Sequence, residues 1–236
     1  MTAKIGCCGF PVKREEYYKN FSVVEVQQTF YKPPKPSTAK KWRKEAPEDF
    51  EFTVKAFQII THPPNSPTYR RLGYKPKNAG FFKPCREVFE AWEITKEIAK
   101  ILKAKVILFQ TPKSFKDTEE NIRNMKDFFS SVERDFIFAF EPRGWKDESV
   151  KAVCEDLDLV HVVDPFVSKP VCGKIYYFRL HGHTRIYKHK YSEEELRWLA
   201  SYVKSLDRDV YVMFNNVYMF EDARTFRSIL QTEPNI

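Results

Sequence analysis

Only seven glycines occur in 236 residues, and no glycine-rich loop follows the first apolar stretch, so a phosphate-cradling nucleotide fold has no support here. Cysteine is scarce and scattered. Cys7, Cys8, Cys85, Cys154 and Cys172 make an odd number with no CxxC pair, which argues against a structural zinc site and against a disulfide framework. The adjacent Cys7 and Cys8 read as two small packed thiols. No apolar run reaches the length of a membrane span, and the opening Met-Thr-Ala-Lys-Ile-Gly lacks the apolar core of a signal peptide. A soluble, cytoplasmic protein with no membrane partner is expected. HExxH spacing is also missing, and neither a metal nor any other cofactor is assigned.

What is present describes a globular chain. At 42% hydrophobic and 16% aromatic, the sequence can build a sizeable core, and its length suits one domain over residues 1–236. Forty Lys and Arg against 32 Asp and Glu give a formal charge of +8, which favours phosphate-bearing partners, although lysine-rich surfaces also serve solubility.

Alternating apolar stretches recur along the chain, each followed by a helical or loop segment. Strands are expected at 3–9, 23–27, 50–56, 105–112, 135–141, 159–165, 175–182 and 209–216. Helices are expected at 14–21, 37–46, 86–103, 117–132, 147–157, 192–206 and 222–231, with Asp117, Asp147 and Ser192 as caps and Glu120 and Glu195 closing capping boxes. Eight strands alternating with helices predict an α/β fold, a single (β/α)8 TIM-like barrel. Its departures are a weak or missing helix after the sixth strand, where Pro170 interrupts a short segment, and a long loop after the third. That loop, 63–84, carries Arg70, Arg71, Lys75, Lys77 and Lys83 with no acidic residue, interleaved with Tyr69, Tyr74, Phe81 and Phe82. Such a mixture suits phosphate and stacking contacts, and predicts a loop that is mobile or ordered by a partner; the alternative is a solvated loop whose aromatics pin it to the body.

The strands share one pattern. One parity stays apolar to face helices, and the other turns polar at the C-terminal end, where sites on this fold are built. Glu25, Lys55, Gln110, Glu141, Asp164, Arg179, His181 and Asn215 therefore converge on one mouth. His161 has the outward parity and belongs to the core.

Several ordered motifs carry a resemblance: Gly6-Cys-Cys-Gly9, Val24-Glu-Val-Gln-Gln-Thr-Phe-Tyr31, Phe52-Thr-Val-Lys55 with Thr61-His62, Phe109-Gln-Thr-Pro112, Phe140-Glu-Pro-Arg143 with Trp145, Phe178-Arg-Leu-His-Gly182 and Tyr211-Val-Met-Phe-Asn-Asn216. Nearly end to end, the chain resembles the YecE-like family, also called domain of unknown function 72. Cys8 and Phe10 stand where Ser and Trp are common in that family. The resemblance implies a TIM barrel and supplies no mechanism.

Three functions are weighed from the residues. In the first, an enzyme acts on a small anionic molecule: Arg179, with Lys55 or Arg143, holds a phosphate or carboxylate, while Gln110, Asp164, Asn215, Tyr31 and Tyr187 line the site. Glu25 and Glu141 then form a general acid/base pair, with His181 as a proton shuttle and Lys55 as an alternative Schiff-base nucleophile. In the second, the protein binds or processes nucleic acid through the basic loop, in one version with Glu25, Glu141, Asp164 and His181 around a metal. In the third, it is a non-catalytic binder. His183 and His189 are read as loop residues.

Overall fold

The computed structural model describes residues 2–183 and 187–232. Its strands are β1 (Ala3–Cys8), β2 (Val23–Val26), β3 (Glu51–Lys55), β4 (Val106–Gln110), β5 (Ile137–Glu141), β6 (Leu159–Val163), β7 (Tyr176–Leu180) and β8 (Val210–Phe214). They pair in sequence order, all parallel, and β8 closes on β1. The chain is thus a closed α/β barrel, as the alternation of strands and helices implied.

Helices α1 (Arg14–Asn20), α2 (Gln28–Tyr31), α3 (Pro36–Glu45), α4 (Gln58–Thr61), α5 (Arg86–Leu102), α6 (Glu119–Ser131), α7 (Asp147–Asp156), α8 (Glu193–Lys204) and α9 (Met219–Thr232) surround it. In α5 the buried residues Val88, Ala91, Trp92, Thr95, Ile98, Ala99 and Leu102 fall three and four apart, so one stripe faces the sheet. Between β6 and β7, where every residue is described, no helix forms; a loop bridges them directly.

Some local details differ from expectation. Thr118, not Asp117, caps α6 by accepting from the Asn121 N–H, and Asp117 instead accepts from the Ser149 hydroxyl. Asp147 is the first residue of α7 rather than its cap. The last helix begins three residues earlier than expected, at Met219. Ser192 and Glu195 do form a capping box on α8.

Strand parity separates two cores. Inside the barrel lie Val23, Val106, Leu108, Ala139, Val160, Val162 and Tyr177, with Cys8. Outside, Phe109 and Phe138 meet Trp92, Phe128 and Phe129 in a nest of edge and tilted aromatic contacts. Cys7 faces outward and Cys8 inward, so the adjacent thiols are buried on opposite sides of β1. Gly6 is required at its position: a Cβ there would sit 2.2 Å from the Val23 carbonyl oxygen, where β1 and β2 approach closely.

The long segment after β3 is bound down rather than free. It contains a 3-10 turn (Pro67–Arg71), and Gly80, Phe81 and Phe82 donate back to the carbonyls of Ile59, Thr61 and Ile60. The Phe82 ring is fully buried among Phe109, Phe115, Phe128 and Phe129, and the buried Tyr69 hydroxyl donates to the His62 carbonyl. The aromatics pin the segment, while Arg70, Arg71, Lys75, Lys77 and Lys83 point to solvent. Among the described residues no helix is long and apolar enough to cross a membrane.

Candidate active site at the barrel mouth

The inward parity of β2, β3, β4, β5 and β7 ends in Glu25, Lys55, Gln110, Glu141 and Arg179, and the barrel brings these five into one hydrogen-bonded chain. Arg179 is at its centre. One guanidinium nitrogen donates to Glu25 at 3.0 Å and the other to Glu141, with Arg179 and Glu25 completely buried. The second Glu25 oxygen accepts from the Tyr177 hydroxyl at 2.8 Å, which stands 2.8 Å from the Thr53 hydroxyl below it. Gln27 also donates to Glu25. On the other side, the parallel register sets Gln110 abreast of Glu141, and its amide nitrogen donates to that carboxylate at 2.8 Å. The amide oxygen of Gln110 is thereby turned toward Lys55, whose ammonium donates to it at 2.6 Å. A circuit of side chains thus leaves β3 at Thr53 and returns to β3 at Lys55.

Charge and burial sort the roles within this circuit. Burial pushes the Glu141 carboxyl up, but Arg179, His181 and Arg143 outweigh it and hold the group below the usual carboxylate range. Burial weakens the hold of Arg179 on its proton, but the two carboxylates outweigh it and hold the proton more firmly than in water. Lys55 differs from both. Among the described residues no carboxylate pairs with it, its ammonium lies 3.9 Å from the centre of the Phe30 ring, and it is 4% exposed. Burial, and then the nearby Arg179 charge, push its pKa from the lysine range down to about 7. His62, edge-on to Phe30, is lowered to about 3 by burial and by Lys55, and so stays neutral.

Several expected roles are redistributed. Arg179 does not present its guanidinium to the opening as an anion holder; it serves the two carboxylates. One guanidinium bridges Glu25 and Glu141, and Glu141 is held in its charged form. Asp164 is a backbone clamp, accepting from the N–H groups of His181 and Phe166 at 2.9 and 3.1 Å, and so shapes the β7 end where His181 sits. His181 is buried, with ring nitrogens 3.9 Å from Glu141 and 3.9 Å from Asp164. Arg143 remains at the rim, its side chain 25% exposed, 3.9 Å from Glu141 and 3.5 Å from the Tyr187 hydroxyl. Tyr187 is held there by a left-handed backbone conformation and by packing of its ring against His181.

Asn215 is half-buried, and its backbone pairs with Leu180; the buried side chain nearby is that of Asn216, which donates to Asp222 and to the His189 carbonyl. Tyr31 lies under the Arg71 guanidinium at 4.4 Å, and its carbonyl accepts from Gln58. Thr53, Tyr177 and Phe30 were not singled out from sequence. Thr53 and Tyr177 have the inward parity two residues before Lys55 and Arg179, and that signal could have found them. The Arg179 guanidinium stands between Glu25 and Glu141, two of the carboxylates that the metal version of the mouth would use.

A family model described as "Protein of unknown function DUF72" matches residues 11–235. Among curated proteins, UPF0759 protein YunF of Bacillus subtilis (strain 168) is 24% identical, over 86% of this chain and 80% of its own length. Among solved structures, a DUF72 family protein of Enterococcus faecalis V583 is 20% identical with a TM-score of 0.75, covering 98% of each chain. A DUF72 family protein of Thermotoga maritima MSB8 is 24% identical with a TM-score of 0.72, over 98% of this chain and 100% of that one. At these identities the structural likenesses concern the fold.

Proposed function

Because the chain belongs to the DUF72 family, whose description supplies no reaction, we propose from the chemistry of its own barrel mouth that it is an enzyme moving a proton on a small anionic substrate. Lys55 is the group that moves the proton. The observation that carries this reading is a buried amine held on a fixed amide, without a carboxylate partner, and brought to a pKa of about 7. A base poised near neutrality combines a usable free amine with enough driving force to accept a proton. The rest of the circuit acts as a positioning device. Tyr177 and Arg179 fix the carboxylates, Glu141 orients Gln110, and Gln110 aims Lys55.

With Arg179 committed to Glu25 and Glu141, Arg143 at the rim is the cation that would meet an incoming phosphate or carboxylate. The Tyr187 hydroxyl stands beside Arg143 as a further donor. A thermal-shift titration with phosphate, sulfate and small carboxylates tests this arrangement. At 100 times its dissociation constant a bound anion stabilises the protein by about 2.7 kcal/mol, which for a chain of this size raises Tm by roughly 5–10 °C. Arg143→Leu should abolish the gain. No anion-dependent shift in the wild type, or one that persists in the variant, overturns the substrate class.

A second reading is favoured by the five exposed cations of the segment after β3. Arg71 lies on the Tyr31 ring, and a surface cavity of about 390 Å³ opens between Tyr31, Arg70 and Arg71. Here nucleic acid is the partner and the segment its backbone contact. Fluorescence anisotropy with a short duplex should then show binding that weakens steeply with salt. Replacing Arg70 and Arg71 together by alanine should shallow the log–log slope by about two. No binding at low salt removes this reading.

A further inference from the structure

Away from the mouth circuit, where β7 leads into α8, His183, His189 and Glu195 bring three ligand atoms within 4.8 Å of one another. We propose that these residues form a divalent transition-metal site of the zinc class. His181-Gly182-His183 is an HxH spacing, and the structure parts its members: His181 turns into the barrel and His183 turns out.

The donor set is convergent. Both imidazole Nε2 atoms are directed at one carboxylate oxygen, Glu195 Oε1, and His189 also lies 3.0 Å from the second oxygen. Two imidazoles and one carboxylate make a nitrogen-rich set that suits zinc, with a fourth position left for water or another ligand. The His183 side chain is 40% exposed, so a cation can enter from solvent.

Each ligand is also held from behind. His183 meets the Phe166 ring edge at 5.0 Å, and His189 meets Tyr191 at 4.9 Å. The His189 carbonyl accepts from Asn216, and a Cβ at Gly182 would lie 2.6 Å from the His189 Cβ, so only glycine lets the histidine sit this close. Glu195 is fixed on α8 because its carboxylate also accepts from the Ser192 N–H at 2.6 Å. With its ligands positioned before any cation arrives, the cluster loses little freedom on binding. An imidazole ligates through an unprotonated nitrogen, so the cation competes with protons for these atoms and binding weakens in acid.

The test is a Zn2+ titration of chelator-stripped, dialysed full-length protein by calorimetry, with a Co2+ absorption spectrum alongside. The expected result is one zinc per chain, with affinity reduced at least about tenfold in His183→Ala, in His189→Ala and in Glu195→Gln. In Glu195→Gln the side-chain amide retains an oxygen for the Ser192 N–H, so that variant keeps the helix cap, and the exposed His183→Ala carries the test should His189→Ala fail to fold. Tm should rise with zinc in the wild type and not in His183→Ala. Failure to bind near one equivalent, affinity unchanged in the variants, or a thiolate charge-transfer band placing Co2+ on cysteine would each overturn the site.

Discussion

Arg179→Met is expected to destabilise the protein by about 3–5 kcal/mol, the scale of removing one partner from a buried ion pair. For 236 residues this lowers Tm by roughly 6–20 °C. The size of the effect comes from what remains. Methionine fills much of the volume, but Glu25 and Glu141 are left facing one another in a site that excludes water. The pH dependence identifies the mechanism. In the wild type, Glu141 titrates below its unfolded value, so its contribution is complete above the ordinary carboxylate range and is lost as pH falls through the lower folded value. In Arg179→Met the uncompensated pair shifts upward, the folded state binds the extra proton, and stability should rise as pH falls from about 7 toward 5. Urea unfolding of both proteins at several pH values checks this. Parallel pH profiles, or a loss under about 1 kcal/mol, would mean that Arg179 is not the charge that holds the mouth together.

Lys55→Met should have the opposite effect near and below neutrality. Lys55 has a folded pKa of about 7 against an ordinary lysine value of 10.5, so between those values the unfolded chain holds a proton that the folded protein has released. Stability from this group therefore rises with pH across that window, and below about 7 the full cost of burying the ammonium is present. A separation of that size corresponds to about 5 kcal/mol between the ends of the window. Lys55→Met removes the cost, so the variant should be the more stable protein at pH 6, with the difference shrinking toward pH 10. It should also lose activity on any substrate the anion titration uncovers, and the wild-type rate should climb with the free-amine fraction through pH 7. A difference in stability that stays constant from pH 6 to 10 would place the Lys55 pKa at its ordinary value and remove the base from the proposed reaction.

The barrel was legible because its signals are local. A parallel strand buried on both faces needs a short apolar run, and an amphipathic helix needs a stripe of period 3.6; both survive in a bare string of letters. The missing helix between β6 and β7 was visible for the same reason, since Pro170 and the shortness of the segment leave no room for one. Parity also carried Glu25, Lys55, Gln110, Glu141, Asp164, Arg179 and His181 to one end of the barrel, because side chains alternate faces along every strand.

Parity says that residues meet, not how they bond, and the assignments that changed are those that depended on partners. Arg179 and Lys55 are both inward cations at strand ends, yet one is locked between two carboxylates and the other rests on an amide beside a ring. The difference is one of barrel register, which aligns Gln110 with Glu141 and leaves Lys55 no acid of its own. The segment from 63 to 84 carried a composition suited to a mobile binding loop; the Phe82 pocket, assembled from β4 and α6, is what ties it down. His183, His189 and Glu195 each read as an ordinary loop or cap residue, and only the folded chain brings their ligand atoms together. By itself the sequence determined the fold and the end of the barrel that carries the polar residues, since strand alternation and helix periodicity are properties of neighbours along the chain. Which cation is locked between carboxylates and which rests on an amide was decided only in three dimensions, because pairing and desolvation depend on groups brought together from distant strands.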